Sequence, residues 1–297
     1  MKKIIYLLLT MPLLFASCSN DEEVVNEETV QVSFCTELPG RVGTRASGTL
    51  NVNKVVCAVF ENGTEINTLR QVIDVTASGT IEYAPRLIKD RTYQVVFWAM
   101  KEGCYNVTDL TAIMRTSGTA TSESDFESFT ESVSITVTGS ATQAVTLKRP
   151  YAQLNLGVTS DDWSTVTTTF GMTPQKMVIK TTGKDTFNAL AGTPTGTDAE
   201  ITRNLTVSGN DLSVDGTTYK SIAMCYVYPE SDRDNFDIKY TISTDTDVAI
   251  RENVTIQNVP MQANYRTNVV GGLLTGTITY AISFEEGFTS YNNSEYN

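Results

Sequence analysis

Short runs typical of β-strands recur along the chain from residue 30 onward. In residues 30–34 apolar and polar side chains alternate, which places Val30, Val32 and Phe34 on one face of a half-buried strand. Residues 95–99 are almost entirely apolar, as expected for a strand buried on both faces. After the N-terminal segment, no stretch keeps a helical period for more than a turn or two. Many short strands rich in Thr, Val, Ile and Tyr predict an all-β protein of the sandwich or barrel type.

The pattern breaks at Lys148-Arg149-Pro150 and then restarts. Proline cannot donate to a strand ladder and usually begins a strand or lies at a sheet edge. Strands are predicted afterwards near residues 151–158, 166–170, 177–181, 187–191, 201–207, 219–228, 236–242, 248–259 and 277–284. The last run alternates most cleanly, and one of its faces carries Ile278, Tyr280, Ile282 and Phe284. We therefore expect two tandem β-sandwich domains of the Greek-key or transthyretin-like type.

The N-terminal sequence has the pattern of an export signal. Lys2 and Lys3 precede an apolar run over residues 4–15, which is shorter than the roughly 20 residues needed to cross a bilayer. Ala16-Ser17-Cys18 resembles the lipobox of bacterial lipoproteins, with Phe15 where an aliphatic residue is usual. The resemblance implies cleavage before Cys18 and a lipid on Cys18; the alternative is an incidental cysteine in an ordinary signal. The expected organisation is a signal at 1–17, an acidic tether at 18–29, sandwiches at 30–149 and 150–288, and a polar tail at 289–297.

Composition excludes several classes of function. The formal net charge is −12, and it becomes two units more negative once Lys2 and Lys3 leave with the signal. So acidic a chain argues against nucleic-acid binding and against electrostatic attachment to anionic membranes. Histidine is absent, which removes the commonest general base and the commonest zinc ligand. We expect no enzyme activity, no cofactor and no metal.

Four cysteines remain besides Cys18, and their spacing shows no metal or redox motif. Cys57 and Cys225 lie inside apolar strand-like runs, where buried free thiols are favoured over the disulfides that export would permit. Cys35 falls on the face of its strand opposite Phe34, and the state of Cys104 is left open.

Other candidate sites have simpler interpretations. The acidic run from Asp232 lacks the glycine and the final glutamate of a calcium loop, so a hairpin turn is favoured. Trp98 and Trp163 could stack on a sugar, but a core position is the commoner role of such residues. Residues 102–130 are rich in Ser, Thr, Asp and Gly, which predicts a long surface insertion.

Several stretches together resemble the fimbrillin-like lipoproteins that build type V pili in Gram-negative anaerobes. The resemblance rests on the lipobox, on Gly43-Thr44-Arg45-Ala46, on residues 147–154 and on residues 259–268, which contain Asn264-Tyr265-Arg266-Thr267-Asn268. It implies a structural or accessory subunit of a fimbrium, located at the outer membrane through the lipid on Cys18 and partnered by other fimbrial subunits or by copies of itself.

The resemblance also implies an assembly mechanism. An Arg-specific protease would cut after Arg45, or after Arg41, and release the first strand with Val30, Val32 and Phe34. The vacated groove would accept a strand from another subunit. Here the donor strand would be the one that carries Ile278, Tyr280, Ile282 and Phe284; if that strand instead completes its own sandwich, an accessory, tip or anchor role is favoured. Arg45 as an ordinary exposed arginine is the alternative for the cleavage site.

A second hypothesis is a lipid-anchored surface adhesin or glycan-binding module that stays monomeric. It would recognise a host protein or glycan through the insertion at residues 102–130.

Overall fold

The computed structural model describes residues 27–38, 51–75 and 80–286 of the chain. In the N-terminal half the strands are β1 (Thr29–Glu37), β2 (Lys54–Glu61), β3 (Thr64–Glu65), β4 (Gln71–Asp74), β5 (Thr80–Tyr83), β6 (Arg86–Ile88), β7 (Thr92–Met100), β8 (Tyr105–Asn106), β9 (Ile113–Arg115), β10 (Ser128–Thr136) and β11 (Ala141–Thr146). In the C-terminal half they are β12 (Ala152–Val158), β13 (Lys176–Gly183), β14 (Thr186–Asn188), β15 (Thr193–Thr195), β16 (Ala199–Thr206), β17 (Asp211–Val214), β18 (Thr217–Val227), β19 (Asp234–Ser243), β20 (Ala249–Met261), β21 (Tyr265–Gly272) and β22 (Thr279–Glu286). Helical structure is limited to α1 (Ser160–Ser164), a π-helical turn at Thr165–Thr169 and 3-10 turns at Asn67–Leu69 and Glu123–Phe126. The all-β prediction is confirmed.

The N-terminal half is a sandwich of two sheets. One sheet has the order β11-β1-β5, with β6 also paired to β1, and the other has the order β10-β7-β2-β3, with β4 also paired to β2. The core between them joins Val32 and Phe34 of the first sheet to Cys57, Val95 and Phe97 of the second. The second face of β7 is buried as well, as the apolar run at residues 95–99 predicts.

The C-terminal half repeats the plan. A sheet with the order β17-β18-β12-β21-β22 packs against a sheet with the order β16-β13-β19-β20. Leu154 and Leu156 of β12 meet Ile179 of β13 and Ile238 and Tyr240 of β19 in the core between them. Each half also pairs its first strand in parallel with a strand close to its own end, β1 with β11 and β12 with β21.

A fifth sheet crosses from one half to the other. Its order is β15-β14-β9-β8, and the central antiparallel pair sets Thr186 of β14 against Met114 of β9. Around it lies a third core, which joins Trp98 and Tyr105 of the N-terminal half to Phe187 and Tyr226 of the C-terminal half. We propose that the two sandwiches are domains that meet near Arg149, but the fifth sheet draws residues from both sides of that boundary.

The prediction of a surface insertion at residues 102–130 is wrong for much of its length. Leu110 and Ile113 are buried in the third core, and Phe129 is buried in the N-terminal core. The polar composition is misleading because many of these side chains bond within the segment or across the junction. Asp125, for example, accepts hydrogen bonds from the backbone N–H of Thr121 at 2.7 Å and from Lys101 at 2.6 Å.

Three groups, which we call the junction clamp, fasten this segment to the C-terminal half: the side chains of Arg115 and Glu123 and the backbone of Tyr226. The Glu123 carboxylate accepts from Arg115 Nη1 at 2.7 Å and from the Tyr226 N–H at 3.0 Å. Arg115 Nη2 donates to the Tyr226 carbonyl at 3.1 Å, and its guanidinium lies 4.7 Å from the centre of the Phe126 ring. Each charged side chain of the clamp is only 8% exposed. The clamp therefore satisfies buried charges and backbone groups together.

Some predicted elements differ from those observed. Residues 166–170 form part of the π-helical turn and its end rather than a strand, because Thr165, Thr167 and Thr168 donate their hydroxyl protons to carbonyls four residues back. β10 and β11 follow each other in the chain but lie in different sheets, so they form no hairpin. β17 and β21 were not predicted as strands.

Among the described residues, none of the helices has the length and apolar character needed to span a bilayer.

Candidate functional site: the first strand and the closing strand

β1 lies inside its sheet rather than at an edge. On one side it pairs in parallel with β11, from Val32 opposite Ala141 to Glu37 opposite Thr146. On the other side it pairs antiparallel with β5 and, near its start, with β6. We call the space that β1 fills between these strands the β1 slot. The backbone groups of β11 that face the slot from one side, and those of β5 and β6 that face it from the other, depend on β1 for their hydrogen bonds.

The inward side chains of β1 form the centre of the N-terminal core. Val32 and Phe34 are fully buried, and Val30 packs at the margin. The ring of Phe34 lies 5.8 Å from that of Phe97 and 6.3 Å from that of Tyr83. The predicted face of the first strand is therefore the buried face.

The buried face also extends further than predicted. Thr36 and Leu38 continue the alternation and are buried too. The signal for them was present in the sequence, since every second residue from 30 to 38 is apolar or threonine.

Charged residues hold the start of β1. Lys89 donates its backbone N–H to the carbonyl of Glu28 at 2.8 Å and pairs with its carboxylate at 3.0 Å. Glu27 pairs with Arg91. The last residues of the predicted acidic tether thus contact the fold, and β1 begins one residue earlier than expected. Cys18, Arg41 and Arg45 lie outside the described residues.

Cys35 lies on the opposite face of β1, half-buried between Glu82 and Ala144. It is a free thiol, as are Cys57, Cys104 and Cys225. Burial raises the pKa of Cys57 and of Cys225 to about 12. The interpretation of these two residues as buried free thiols agrees with the structure, and among the described cysteines no disulfide ties β1 to the rest of the domain.

β22 closes the C-terminal sheet by pairing with β21, from Tyr265 opposite Glu286 to Gly272 opposite Thr279. Of the four residues predicted to share a face, Ile278 precedes the strand and packs on the C-terminal core. Phe284 stacks on Tyr265 at 4.8 Å, but Tyr280 and Ile282 are 42% and 36% exposed. The cleanest alternation in the sequence therefore marks a sheet edge, where the apolar face is only partly covered.

A polar ladder behind this face fixes the position of β22. Glu285 accepts a hydrogen bond from Asn268 Nδ2 at 2.9 Å, and Asn155 Nδ2 donates to Asn268 Oδ1 at 2.7 Å. Arg266 lies 3.8 Å from Glu285. The asparagines and Arg266 are buried, so a shift of β22 would leave buried polar groups without these partners.

The turn that leads into β22 is anchored independently of the strand. The Asp162 carboxylate, at the start of α1, accepts from the backbone N–H groups of Leu274 at 2.7 Å and Thr275 at 2.9 Å. Tyr240 donates its hydroxyl proton to the Leu273 carbonyl at 2.6 Å. Asp162 therefore has a structural role.

The remaining candidate sites have structural roles as well. Asp234 accepts hydrogen bonds from the backbone N–H and the hydroxyl of Ser231 in the loop between β18 and β19. The predicted hairpin turn is wrong, because β18 and β19 lie in different sheets. Trp98 is fully buried and Trp163 packs on the C-terminal core, so neither presents a free ring to a sugar. Within the described ranges, no group of three or more His, Cys, Asp or Glu side chains is placed to hold a metal ion.

A cleft of about 560 Å³ opens at the junction of the two halves. Its lining includes Thr130, Lys148, Pro194, Pro229 and Asn264. Two of the stretches that carried the family resemblance, residues 147–154 and 259–268, thus contribute to the junction.

The chain is similar to several solved structures of bacterial surface proteins. The tip fimbrial protein Mfa3 of Porphyromonas gingivalis, solved with a C-terminal truncation, matches 87% of this chain and 100% of its own at 12% identity and a TM-score of 0.51. A candidate adhesin of Bacteroides ovatus matches 88% of this chain and 97% of its own at 14% identity and a TM-score of 0.49. The P. gingivalis fimbrial anchor protein Mfa2 matches 86% and 97% at 11% identity and a TM-score of 0.45.

A search of curated proteins found no match to the sequence. The similarity to Mfa3 confirms the resemblance to fimbrial proteins at the level of the fold. A family model described as a family of unknown function, DUF6562, matches residues 22–296. The chain therefore belongs to the DUF6562 family.

Proposed function

We propose that this protein is an accessory subunit of a surface fimbria that assembles by strand exchange at the β1 slot. The observation that carries the proposal is the position of β1. It is the first strand of the described residues, it lies between the candidate lipid site Cys18 and the candidate cleavage sites Arg41 and Arg45, and it fills the interior of a sheet. A single cut after β1 would therefore detach an interior strand together with the lipid.

An emptied β1 slot would bind an extended strand strongly. β11 on one side and β5 with β6 on the other would present unpaired backbone groups, which favour addition of a strand. The core would also lose the fully buried side chains of Val32, Phe34 and Leu38. Burial of each contributes about 1.5–3 kcal/mol, so the loss is roughly 5–9 kcal/mol. This is comparable to the whole stability of a typical domain.

The slot would select its occupant by side-chain position. Because successive side chains point to opposite faces, the incoming strand needs apolar groups at every second residue to replace Val32, Phe34 and Leu38. On the outer face, a residue at the place of Cys35 would be only half-buried. A strand with the alternation of β1 itself meets these requirements.

The position of β22 favours an accessory, tip or anchor role over a repeating stalk role. β22 is paired along its length with β21 and is held in place by the polar ladder. A strand used in this way completes its own domain. The subunit would therefore accept a strand from a neighbour while keeping its own closing strand.

Location and partners follow from the same proposal. The lipid on Cys18 would deliver the protein to the outer membrane, and cleavage would leave it in the fimbrium, where its partners are other fimbrial subunits or copies of itself. The alternative of a monomeric adhesin that binds a host protein or glycan through residues 102–130 loses its main support, because much of that segment is buried in the domain junction.

The test is the N-terminus of the protein on the cell surface, in wild type and in a variant with Arg41→Lys and Arg45→Lys. Lysine keeps the charge but is not a substrate of an Arg-specific protease. We expect wild-type protein in SDS-resistant assemblies to begin at Ala46 or Val42 without lipid, and the variant to keep an acylated Cys18 and to form no such assemblies. Arg233→Lys, at an exposed arginine outside the β1 slot, is the matched control and should behave as wild type. Assemblies whose subunits all retain Cys18 would refute the cleavage step.

A further inference from the structure

β22 is the last strand of its sheet, and among the described residues nothing pairs with its outer edge. The direction of its backbone groups follows from β21. The carbonyl of Gly271 accepts from the Thr159 N–H at 3.0 Å, so the Gly271 backbone faces β12 and not β22. Its partner Tyr280 is therefore in a non-hydrogen-bonded pair of the antiparallel ladder. The backbone groups of Tyr280, Ile282 and Phe284 consequently point outward from the sheet.

Two of these residues, Tyr280 and Ile282, also expose apolar side chains, whereas the ring of Phe284 stacks on Tyr265 and lies 4.3 Å from the Arg233 guanidinium. Tyr280 and Ile282 are among the large apolar side chains that the described structure leaves most exposed. The strand contains no proline, and its only charged residues, Glu285 and Glu286, stand at its C-terminal end. Natural sheet edges are usually protected by charge, proline or a covering segment. Along most of its length, the outer edge of β22 has the features of a strand-pairing surface.

We propose that this edge pairs with the β22 edge of a second copy of the chain, antiparallel about a two-fold axis at Ile282. In this register Ile282 lies opposite Ile282 of the second copy, and Tyr280 lies opposite Phe284. These are the positions whose backbone groups face outward, so the hydrogen bonds form without any change within either copy. The sheet that contains β22 in one copy and the same sheet in the second copy then become one continuous sheet.

Side chains favour this arrangement. Aromatic and β-branched residues directly opposite one another stabilise an antiparallel pair. The glutamates favour the antiparallel direction, since Glu285 then faces Thr279, whereas parallel pairing would set glutamate against glutamate. The interface is isologous and closes on itself, so it gives a dimer and not a filament. It leaves the β1 slot free and therefore goes beyond the function proposed above.

Sedimentation equilibrium of the chain from Ser19 to Asn297 tests the proposal. We expect a concentration-dependent dimer. Ile282→Lys, which sets two like charges opposite each other on the axis, should raise the dissociation constant by at least about tenfold. Val248→Lys is the matched control, because Val248 is 54% exposed outside β22, and it should leave the dimer unchanged. A monomer at every concentration, or a dimer insensitive to Ile282→Lys, would overturn the proposal.

Two further variants guard against indirect effects. Ile282→Pro removes an N–H that points outward, so it should weaken the dimer while hydrogen exchange shows that β22 remains paired to β21. Ile282→Cys should be joined to its copy by a short thiol-specific cross-linker, whereas Val248→Cys should not. A dimer that cross-links at Val248, or that appears only after residues 287–297 are deleted, would also overturn it.

Discussion

The junction clamp predicts that neutralising Glu123 destabilises the protein far more than neutralising an exposed glutamate. Glu123→Gln keeps the size of the side chain and an oxygen that can accept from the Tyr226 N–H. It removes the negative charge beside Arg115, whose side chain is 8% exposed and lies over Phe126. Arg203 Nε, at 3.8 Å from Glu123, loses the same partner.

The expected magnitude follows from the burial of the pair. Removing one member of a buried ion pair leaves an uncompensated charge and typically costs about 3–5 kcal/mol. Since glutamine retains hydrogen bonds, we expect a loss of about 2–4 kcal/mol. The matched control is Glu200→Gln. Glu200 pairs with Lys180 at 2.7 Å, but the two side chains are 60% and 41% exposed. For such a surface pair we expect a loss of at most about 1 kcal/mol.

Urea unfolding of the wild type and of both variants measures the difference. Because the clamp joins the two halves, we also expect Glu123→Gln to separate a wild-type transition into two, one for each sandwich. A Glu123→Gln variant that loses no more stability than Glu200→Gln, or that keeps a single wild-type transition, would refute the role assigned to the clamp.

Three other predictions concern separate features. Burial acts to raise the pKa of Asp125, but hydrogen bonds from Lys101 and Thr121 outweigh burial and hold the pKa below the ordinary 3.8. Asp125→Asn should therefore destabilise the fold at neutral pH. In acid-unfolding curves, the difference in stability between wild type and variant should shrink as the pH falls below about 3.8. The pKa of about 12 at Cys57 and Cys225, against an ordinary 9.0, lowers the thiolate fraction of both residues at pH 8 roughly a thousandfold. Iodoacetamide should therefore label half-buried Cys35 first, as measured by peptide mass spectrometry. Equal labelling of Cys225 would contradict this expectation. A Cβ at Gly271 would lie 2.1 Å from the Thr279 carbonyl oxygen, whereas one at Gly139 meets nothing within 4 Å. Gly271→Ala should lower the free energy of unfolding by about 1–3 kcal/mol and speed hydrogen exchange in β22. The control Gly139→Ala should do neither.

Local alternation predicted the parts of the fold that local chemistry determines. Val32 and Phe34 on β1 were placed correctly because a half-buried strand shows its face in the sequence. The burial of β7 on both faces could be predicted from the continuous apolar run at residues 95–99. The strand that follows Pro150 was predicted as well, at residues 151–158, where β12 lies.

The failures occur where a distant partner changes the environment of a polar residue. Asn155 made β12 look like an alternating, half-exposed strand, but it is fully buried and bonded to Asn268 of β21. Arg115 and Glu123 made their segment look like a surface insertion, although they neutralise each other inside the junction. No local pattern reveals such partners, because they come together only when the sheets assemble.

The parallel pairing of β1 with β11 has a consequence for the order of folding. β1 is made first, but one of its two neighbours comes from the far end of the same sandwich. Closing so long a loop is slow, because its entropy must be lost before any contact in the pair forms. β1 should therefore dock late in the folding of its domain, after β2, β7 and β10 have paired as a meander. For a time the nascent sandwich would hold an unoccupied position for an extended chain, and the protein's own first strand would compete for it with any other strand nearby. Because the chain itself links that first strand to its own domain, the local concentration of the strand is high, and self-closure would prevail while the link is intact.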